Sequence, residues 1–491
     1  MGVSRVRGTE HLLGSFWLAG SRDQALTGWL DLSGKRPTVT LNGQLTPAMA
    51  RNVGGTGVEY GEPVDDTFND EKLTLHGYLA EGARRKVTIL DAITISRRYN
   101  LFAVGDSSEG VHVLRGTWAV RGAHIEPNEE VVSSWFKFTN LDEWIGTNGI
   151  TATVTLRPRK SVEIRYEEPS PVSASIPSSG EGTVSTQFLS VPDPDVFFNG
   201  AEIRHRSWIY LRNVHCSSFS VLLQEMVYPV VTLASVMMRR KCFLTEISIL
   251  TNKDEYSLDV YHPILEPEAA DDEYTPGRRT LGLRDVGITV LAGWISRSAK
   301  FNPIPNIVYS SYNDNATRTL ESRLLELAAA AEGFDRRKYG DEAIFERSVA
   351  RKARRAAIGA ARDVAGEDVA NRVSQTMSFF NSPTYAERLR RLLTFTDSAL
   401  PGVAGNWKEW IKRVKEARNG YAHQLDRPGD SWELELILLE SLQWVLSAAV
   451  LLEAGVESEI IEKHLSDDEE YRFFRRKAKA LAPAVYESEE Y

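Results

Sequence analysis

Cysteine is nearly absent: Cys216 and Cys242 are the only two in 491 residues. Two thiols build neither a disulfide framework nor a thiolate zinc site, and they fit a reducing compartment. No HExxH, paired CxxC, P-loop or GxGxxG stands in a supporting context, so no metal site and no cofactor is expected. Net positive charge is missing too. With 58 Lys and Arg against 67 Asp and Glu the formal charge is −9, and any nucleic-acid site must be a local basic patch. The segment Met1 to Phe16 holds Arg5, Arg7 and Glu10 but no apolar stretch of signal-peptide length. The longest apolar run, Leu436 to Leu452, is interrupted by Glu440 and Gln443 and falls short of the ~20 residues of a membrane span. It reads as a buried helix, and the chain reads as cytoplasmic with no membrane partner.

What is present is an ordinary folded composition, 42% hydrophobic and 25% charged, in a chain long enough for two to four domains. Its character changes near residue 300. Before that point, short runs rich in Val, Ile, Thr and aromatics alternate with Gly, Asn, Asp and Pro. Leu73 to Leu79, Val87 to Leu90, Val111 to Val120, Val131 to Thr139 and Ile150 to Leu156 are predicted strands. In the last, Thr151, Thr153 and Thr155 alternate with Ala152, Val154 and Leu156, which predicts one wet and one buried face. An antiparallel sandwich is the expected arrangement. The Pro, Ser and Gly cluster Pro169 to Thr186 reads as an exposed loop that subdivides this region, and Glu266 to Arg279 as a second break. Phe219 to Met238 reads as a buried helix kinked or broken at Pro229.

After residue 315 the spacing becomes helical. Helices are predicted over Thr317 to Arg337, Asp341 to Ala365, Asp368 to Phe380, Thr384 to Thr396, a fifth along the stripe Trp407, Trp410, Ile411, Val414, Ala417 and Tyr421, and a sixth over Trp432 to Ala454, stopped by Gly455. The fold class expected is α+β and multidomain: a β-rich, sandwich-like region over 1–300 and an all-α helical bundle over 301–491.

Eight of the nine histidines lack a chemical neighbourhood. His76 and His112 fall inside strand patterns, His205 lies among arginines and His262 precedes Pro263, so they read as hydrogen-bonded structural or surface residues. His423 differs. It closes Arg418-Asn419-Gly420-Tyr421-Ala422-His423 at the end of the fifth helix, just before the turn Arg427-Pro428-Gly429. With 42 Arg and 9 His in the chain, an Arg five places before a His is expected about once by chance. The plain alternative is a solvated helix end whose dipole favours a cation.

Context adds to the spacing. The motif sits on a helix with an apolar stripe, the next helix is long and apolar, and the first carries Glu332 followed by Gly333-Phe334-Asp335-Arg336-Arg337. The Arg418 to His423 spacing is the R-x4-H signature of HEPN ribonucleases, and Leu324 to Arg337 resembles the opening helix of the HEPN domain in ApeA-type anti-phage proteins. Gly14-Ser15-Phe16-Trp17, Gly28-Trp29-Leu30 and Leu41-Asn42-Gly43 resemble the start of the strand-rich N-terminal domain of the same family. The family usually has a His near Asp335.

Five residues along a helix advance ~7.5 Å and turn ~140°, so Arg418 and His423 cannot converge on one regular helix, whereas Asn419 and His423 share a face. Gly420 is the residue that would loosen the last turn. The resemblance implies that two motifs meet across a homodimer or higher oligomer. RNA carries its own nucleophile, the 2′-hydroxyl. Cleavage then needs an acid or base titrating near neutrality, which His423 supplies, and a phosphate clamp, which Arg418 supplies. Asn419 orients either one, and the resemblance makes Glu332 the residue that positions Arg418; the alternative for Glu332 is an exposed carboxylate. The cations Arg336, Arg337, Lys338, Arg347, Arg351, Lys352, Arg354 and Arg355 read either as a solvated face or, with Lys412, Arg413 and Lys415, as an RNA track.

The reading is thus a metal-independent endoribonuclease of abortive infection, with RNA, best tRNA, as substrate and a phage product as trigger sensed by residues 1–300. Acidic Asp467 to Glu470 and Glu487 to Glu490 are the only tail-like restraints in sight. The rival is a non-catalytic sensor whose helical bundle only dimerises.

Overall fold

The computed structural model describes residues 11–45, 50–53, 57–60, 72–99, 110–157, 161–192, 203–265, 281–312, 318–340, 342–423 and 432–486. The expected break at Glu266 to Arg279, the turn Arg427 to Gly429 and the acidic Glu487 to Glu490 lie outside the described residues. The chain divides into two compact units. One comprises Met1–Val231, Cys242–Tyr274 and Gly287–Ser296; the other Thr232–Lys241, Thr275–Val286 and Arg297–Tyr491.

The first unit is strand-rich. Its first nine strands are β1 (His11–Leu18), β2 (Leu26–Asp31), β3 (Thr38–Asn42), β4 (Ala50–Val53), β5 (Gly57–Tyr60), β6 (Leu73–Leu79), β7 (Lys86–Tyr99), β8 (Gly110–Arg115) and β9 (Trp118–Arg121). There follow β10 (Val131–Phe138), β11 (Ile150–Thr155), β12 (Ser161–Tyr166), β13 (Ser173–Ser175), β14 (Thr183–Pro192), β15 (Ile203–Arg212), β16 (Leu244–Thr251) and β17 (Leu258–Tyr261), with the short helix α1 (Leu141–Ile145) after β10. In place of two facing sheets there is one 13-stranded sheet in the order β13-β14-β15-β10-β16-β17-β9-β7-β6-β1-β2-β3-β8. Because β8 also pairs with β7, strands β7, β6, β1, β2, β3 and β8 close into a ring. Phe16, Leu30, Val39, Leu41, Leu75, Ile89 and Leu114 fill it.

The segment Val111 to Val120, expected as one strand, is two. Both run antiparallel to β7, β8 against Ile93–Tyr99 and β9 against Val87–Leu90. The break falls at Gly116, where a Cβ would collide with the Ile89 side chain. Two further expectations need correction. The β11–β12 pair is a separate two-stranded ribbon, and its apolar side is open: Val154 is 57% and Leu156 70% exposed. Alternation reports which side chains share a face and not what covers that face. Pro169 to Thr186 is not simply an exposed loop. Ser173–Ser175 pairs with Thr183–Ser185 as an edge strand, where its composition is tolerated, and Ile176 between them is fully buried.

Phe219 to Met238 is helical throughout: α2 (Phe219–Leu222), a π turn (Leu223–Val227) and α3 (Tyr228–Met238). The widened turn lies just before Pro229, whose ring and missing N–H disrupt an ordinary α turn. This helix and the one over Trp432–Ala454 are long and apolar enough to cross a membrane by composition, yet 78% and 83% of those stretches are buried within the protein.

Helical structure begins earlier than expected, with α4 (Leu283–Val286), α5 (Ile288–Arg297) and α6 (Ile304–Ser310). The second unit then holds α7 (Leu320–Tyr339), α8 (Arg347–Ala365), α9 (Glu367–Thr376), α10 (Tyr385–Thr396), α11 (Trp407–His423) and α12 (Trp432–Ala454), followed by α13 (Ser458–Asp467), α14 (Glu469–Leu481) and α15 (Pro483–Tyr486). The expected second helix starts six residues late, because the Asn381 side chain accepts from the Phe345 N–H (2.8 Å) and donates to its carbonyl (3.0 Å). Helices α7, α10, α11 and α12 pack on one another. Apolar α12 is buried around its circumference and ends at Gly455, at φ 95°. The hairpin α8–α9 is inserted between α7 and α10 in the chain.

Candidate active site

Helix α11 is held by the stripe its spacing predicts. Trp410, Ile411, Val414, Ala417 and Tyr421 are buried, the Trp410 indole N–H donates to Ser441 Oγ at 2.8 Å, and the Tyr421 hydroxyl donates to the buried carboxylate of Glu435 on α12. Only Trp407 of the stripe is half-exposed. With that face packed, Arg418 and Asn419 turn to the side where α7 and α10 run.

There Arg418 meets three groups. Its Nη2 donates to Glu332 Oε2 at 3.0 Å, its Nη1 donates to Asn419 Oδ1 at 3.3 Å, and its guanidinium lies over the Tyr385 ring, 4.9 Å from the centroid. Glu332 is not a free surface carboxylate, since Arg336 one turn on binds its other oxygen at 3.0 Å. The Glu332 side chain is 20% exposed and that of Arg418 31%, so the pair is sheltered yet reachable by a solute. Both helical interactions with Glu332 leave the guanidinium of Arg418 oriented with donors to spare.

Tyr385 is the residue that sequence reasoning missed. It is the first residue of α10, preceded by a capping box in which Thr384 and Glu387 bond reciprocally. Its hydroxyl donates to the Ala328 carbonyl on α7 at 3.1 Å, and burial pushes its own pKa far up. The ring therefore stays neutral and offers Arg418 a π face. A Tyr after Ser-Pro-Thr carries no signal in sequence that it will stack on a residue 33 places later.

Asp335, one turn beyond Glu332, is engaged otherwise. Its Oδ2 accepts from Arg388 Nη1 at 2.8 Å, with both side chains essentially inaccessible. Burial pushes the carboxyl up, and the Arg388 hydrogen bond and the charge of Arg391 pull it back. This pair ties α7 to α10 beneath the surface. His423 is the last residue of α11, and the helix runs through both motif residues without interruption at Gly420. The expected basic track is divided: Arg336 is held by Glu332, Arg337 donates to the Asn302 carbonyl at 3.1 Å, Arg354 donates to the Ser374 carbonyl at 3.1 Å and Lys412 lies 3.6 Å from Glu409.

The helical bundle carrying this Arg-and-His motif is that of a HEPN domain. The family model for the Apea-like HEPN domain matches residues 325–460, and that for ApeA N-terminal domain 1 matches residues 11–275. The chain belongs to the ApeA family of anti-phage proteins, whose C-terminal HEPN domains generally act as ribonucleases and typically dimerise. No curated protein and no solved structure matches it.

Proposed function

We propose that this protein is a metal-independent endoribonuclease that cleaves host RNA, tRNA in the first place, when its strand-rich region meets a phage product. The observation that carries the reading is the ion pair between Glu332 and Arg418, which joins two helices 86 residues apart in sequence within the HEPN match. In the proposed step a His423 imidazole takes the proton of the 2′-hydroxyl, the 2′-oxygen bonds to phosphorus, and the 5′-oxygen leaves with a proton from an acid. Arg418 neutralises the charge that grows on the phosphoryl oxygens, oriented by Glu332 and Asn419.

Helical continuity through Gly420 supports a shared site. On an unbroken helix the two motif side chains diverge by ~140°, so a phosphate held by Arg418 of one protomer reaches the imidazole of another. The dimer then supplies two imidazoles, one to accept and one to give a proton. Among the described residues of 1–300 there is no catalytic constellation, and recognition with restraint of the nuclease is the role left to that region.

Incubating the full chain with tRNA in EDTA tests the reading. It expects fragments ending in 2′,3′-cyclic phosphate and 5′-hydroxyl, absent with Arg418→Ala or His423→Ala. Intact RNA from the wild-type chain, with and without co-expressed phage proteins, leaves the non-catalytic sensor instead.

A further inference from the structure

Helix α8 differs from its neighbours in what its charges do. Of the eight cations between residues 336 and 355, Arg336, Arg337 and Arg354 are bound as described, and Lys338 is paired with Glu453. The other four, Arg347, Arg351, Lys352 and Arg355, are exposed and make no ion pair or hydrogen bond among the described residues. Arg347, Arg351 and Arg355 recur every four residues, so they form one row on α8, successive side chains rising about 6 Å along the axis. Lys352 stands beside the row.

Like charges at this spacing weaken a helix, and among the described residues no acid pairs with them: Glu346 at the N-cap accepts from the Ser348 hydroxyl, and the sole acidic residue within α8, Asp363, lies beyond the row. The flank of α8 next to the row packs on α9, with Ala350 buried and Arg354 tied to Ser374. On a chain of net charge −9, an unrelieved row of this kind is a local positive strip.

We propose that the Arg347–Arg351–Arg355 row of α8, with Lys352, docks the sugar–phosphate backbone of the RNA substrate. The proposal rests on the ribonuclease reading above and moves the binding surface away from residues 336–338, which are already engaged by Glu332, the Asn302 carbonyl and Glu453. Three of the four cations are arginines, whose forked donors match phosphate oxygens two at a time. A lipid surface fits less well, because α8 contains no Trp, Phe or Leu to insert. Backbone contacts of this kind carry no sequence information, so the strip sets affinity and register while the site sets what is cut.

The test uses the full chain. In a His423→Ala background, binding of fluorescent tRNA is followed by anisotropy over a salt series, with and without Arg347→Gln, Arg351→Gln and Arg355→Gln together. Gln keeps the helix propensity. The expected result is at least tenfold weaker binding at low salt and a slope of log K against log salt shallower by about 2, at ~0.7 per phosphate contact. With His423 intact, the loss shows in KM rather than in kcat. Unchanged affinity and slope in a triple variant with unchanged melting temperature overturn the strip. So does retained RNA affinity with lost binding to phosphatidylserine vesicles, which assigns the row to a membrane. If the wild-type chain binds tRNA through the row but does not cut it, the nuclease reading fails and the strip stands. If it cuts and the triple variant cuts with the same KM, only the strip fails.

Discussion

The two units use their polar side chains in opposite ways. In the strand-rich unit three imidazoles are absorbed by the fold: His112 is fully buried with Nε2 3.0 Å from Thr94 Oγ1. His76 and His124 stack at 4.6 Å, and Nε2 of His124 donates to the Gly77 carbonyl at 2.9 Å. In the helical unit, Arg418 is oriented by three neighbours and still 31% exposed. One helix shows the same divide in miniature. On α7, Asp335 is sealed against Arg388 while Glu332, a turn earlier, faces a motif that solvent reaches. A charge sealed on every side holds a fold together; a charge oriented but left open is available for chemistry.

The sharpest way to break this contrast is at the open charges. Arg418→Ala and His423→Ala are each expected to lower RNA cleavage by ~10²–10⁴ with no change in melting temperature. An unchanged rate in either removes the distinction. At the sealed pair the expectation reverses. Asp335→Ala strands the Arg388 guanidinium in the interior and is expected to cost about 3–5 kcal/mol in denaturant unfolding. The double replacement Asp335→Leu with Arg388→Met restores most of it, and a single variant as stable as wild type refutes the structural role.

The strand-rich unit carries its own pH signature. Burial pulls the pKa of His112 down to about 4, below its unfolded value of ~6.5. The neutral ring is thus the folded form, and its contribution is full above pH ~6.5 and lost as pH falls toward 4. Up to ~3 kcal/mol is at stake, and a His112→Asn chain is expected to lose that acid sensitivity in unfolding curves at pH 7 and pH 4.5. The smallest effect belongs to Tyr385. Tyr385→Leu removes the ring beneath Arg418 and is expected to slow cleavage several-fold, in line with ~1 kcal/mol for a half-exposed cation–π contact. Tyr385→Phe keeps the ring and most of the rate, losing mainly the hydrogen bond to Ala328; equal losses in both variants mean that the hydroxyl, and not the stacking, matters.

Periodicity made much of the helical unit legible. α12 runs from Trp432 to Ala454 as its apolar run and Gly455 indicate, and α10 begins one residue after the Thr384 that caps it. What stayed hidden depends on partners distant in sequence. Closure of six strands into a ring follows from β8 pairing with both β3 and β7, and no local pattern encodes a second pairing. Of the candidate site, spacing singled out Arg418 and His423, and likeness to a family singled out Glu332. Tyr385 left no trace because stacking on Arg418 is settled by how α10 crosses α11. The free row on α8 was visible as composition, but only the contacts of Arg336, Arg337 and Arg354 separate it from cations already engaged.

Strand β7 has a consequence for how the strand-rich unit breathes. Over its 14 residues it bonds to β6 on one side and to β9 and then β8 on the other. The ring and the open sheet therefore share one backbone, β9 pairing along Val87–Leu90 and β8 along Ile93–Tyr99, so fraying on one stretch loosens the strand to which the other is paired. In hydrogen exchange the β7 amides of Val87–Leu90 and Ile93–Arg98 are expected to open together and last, marking a single cooperative unit where the contour of the sheet suggests two.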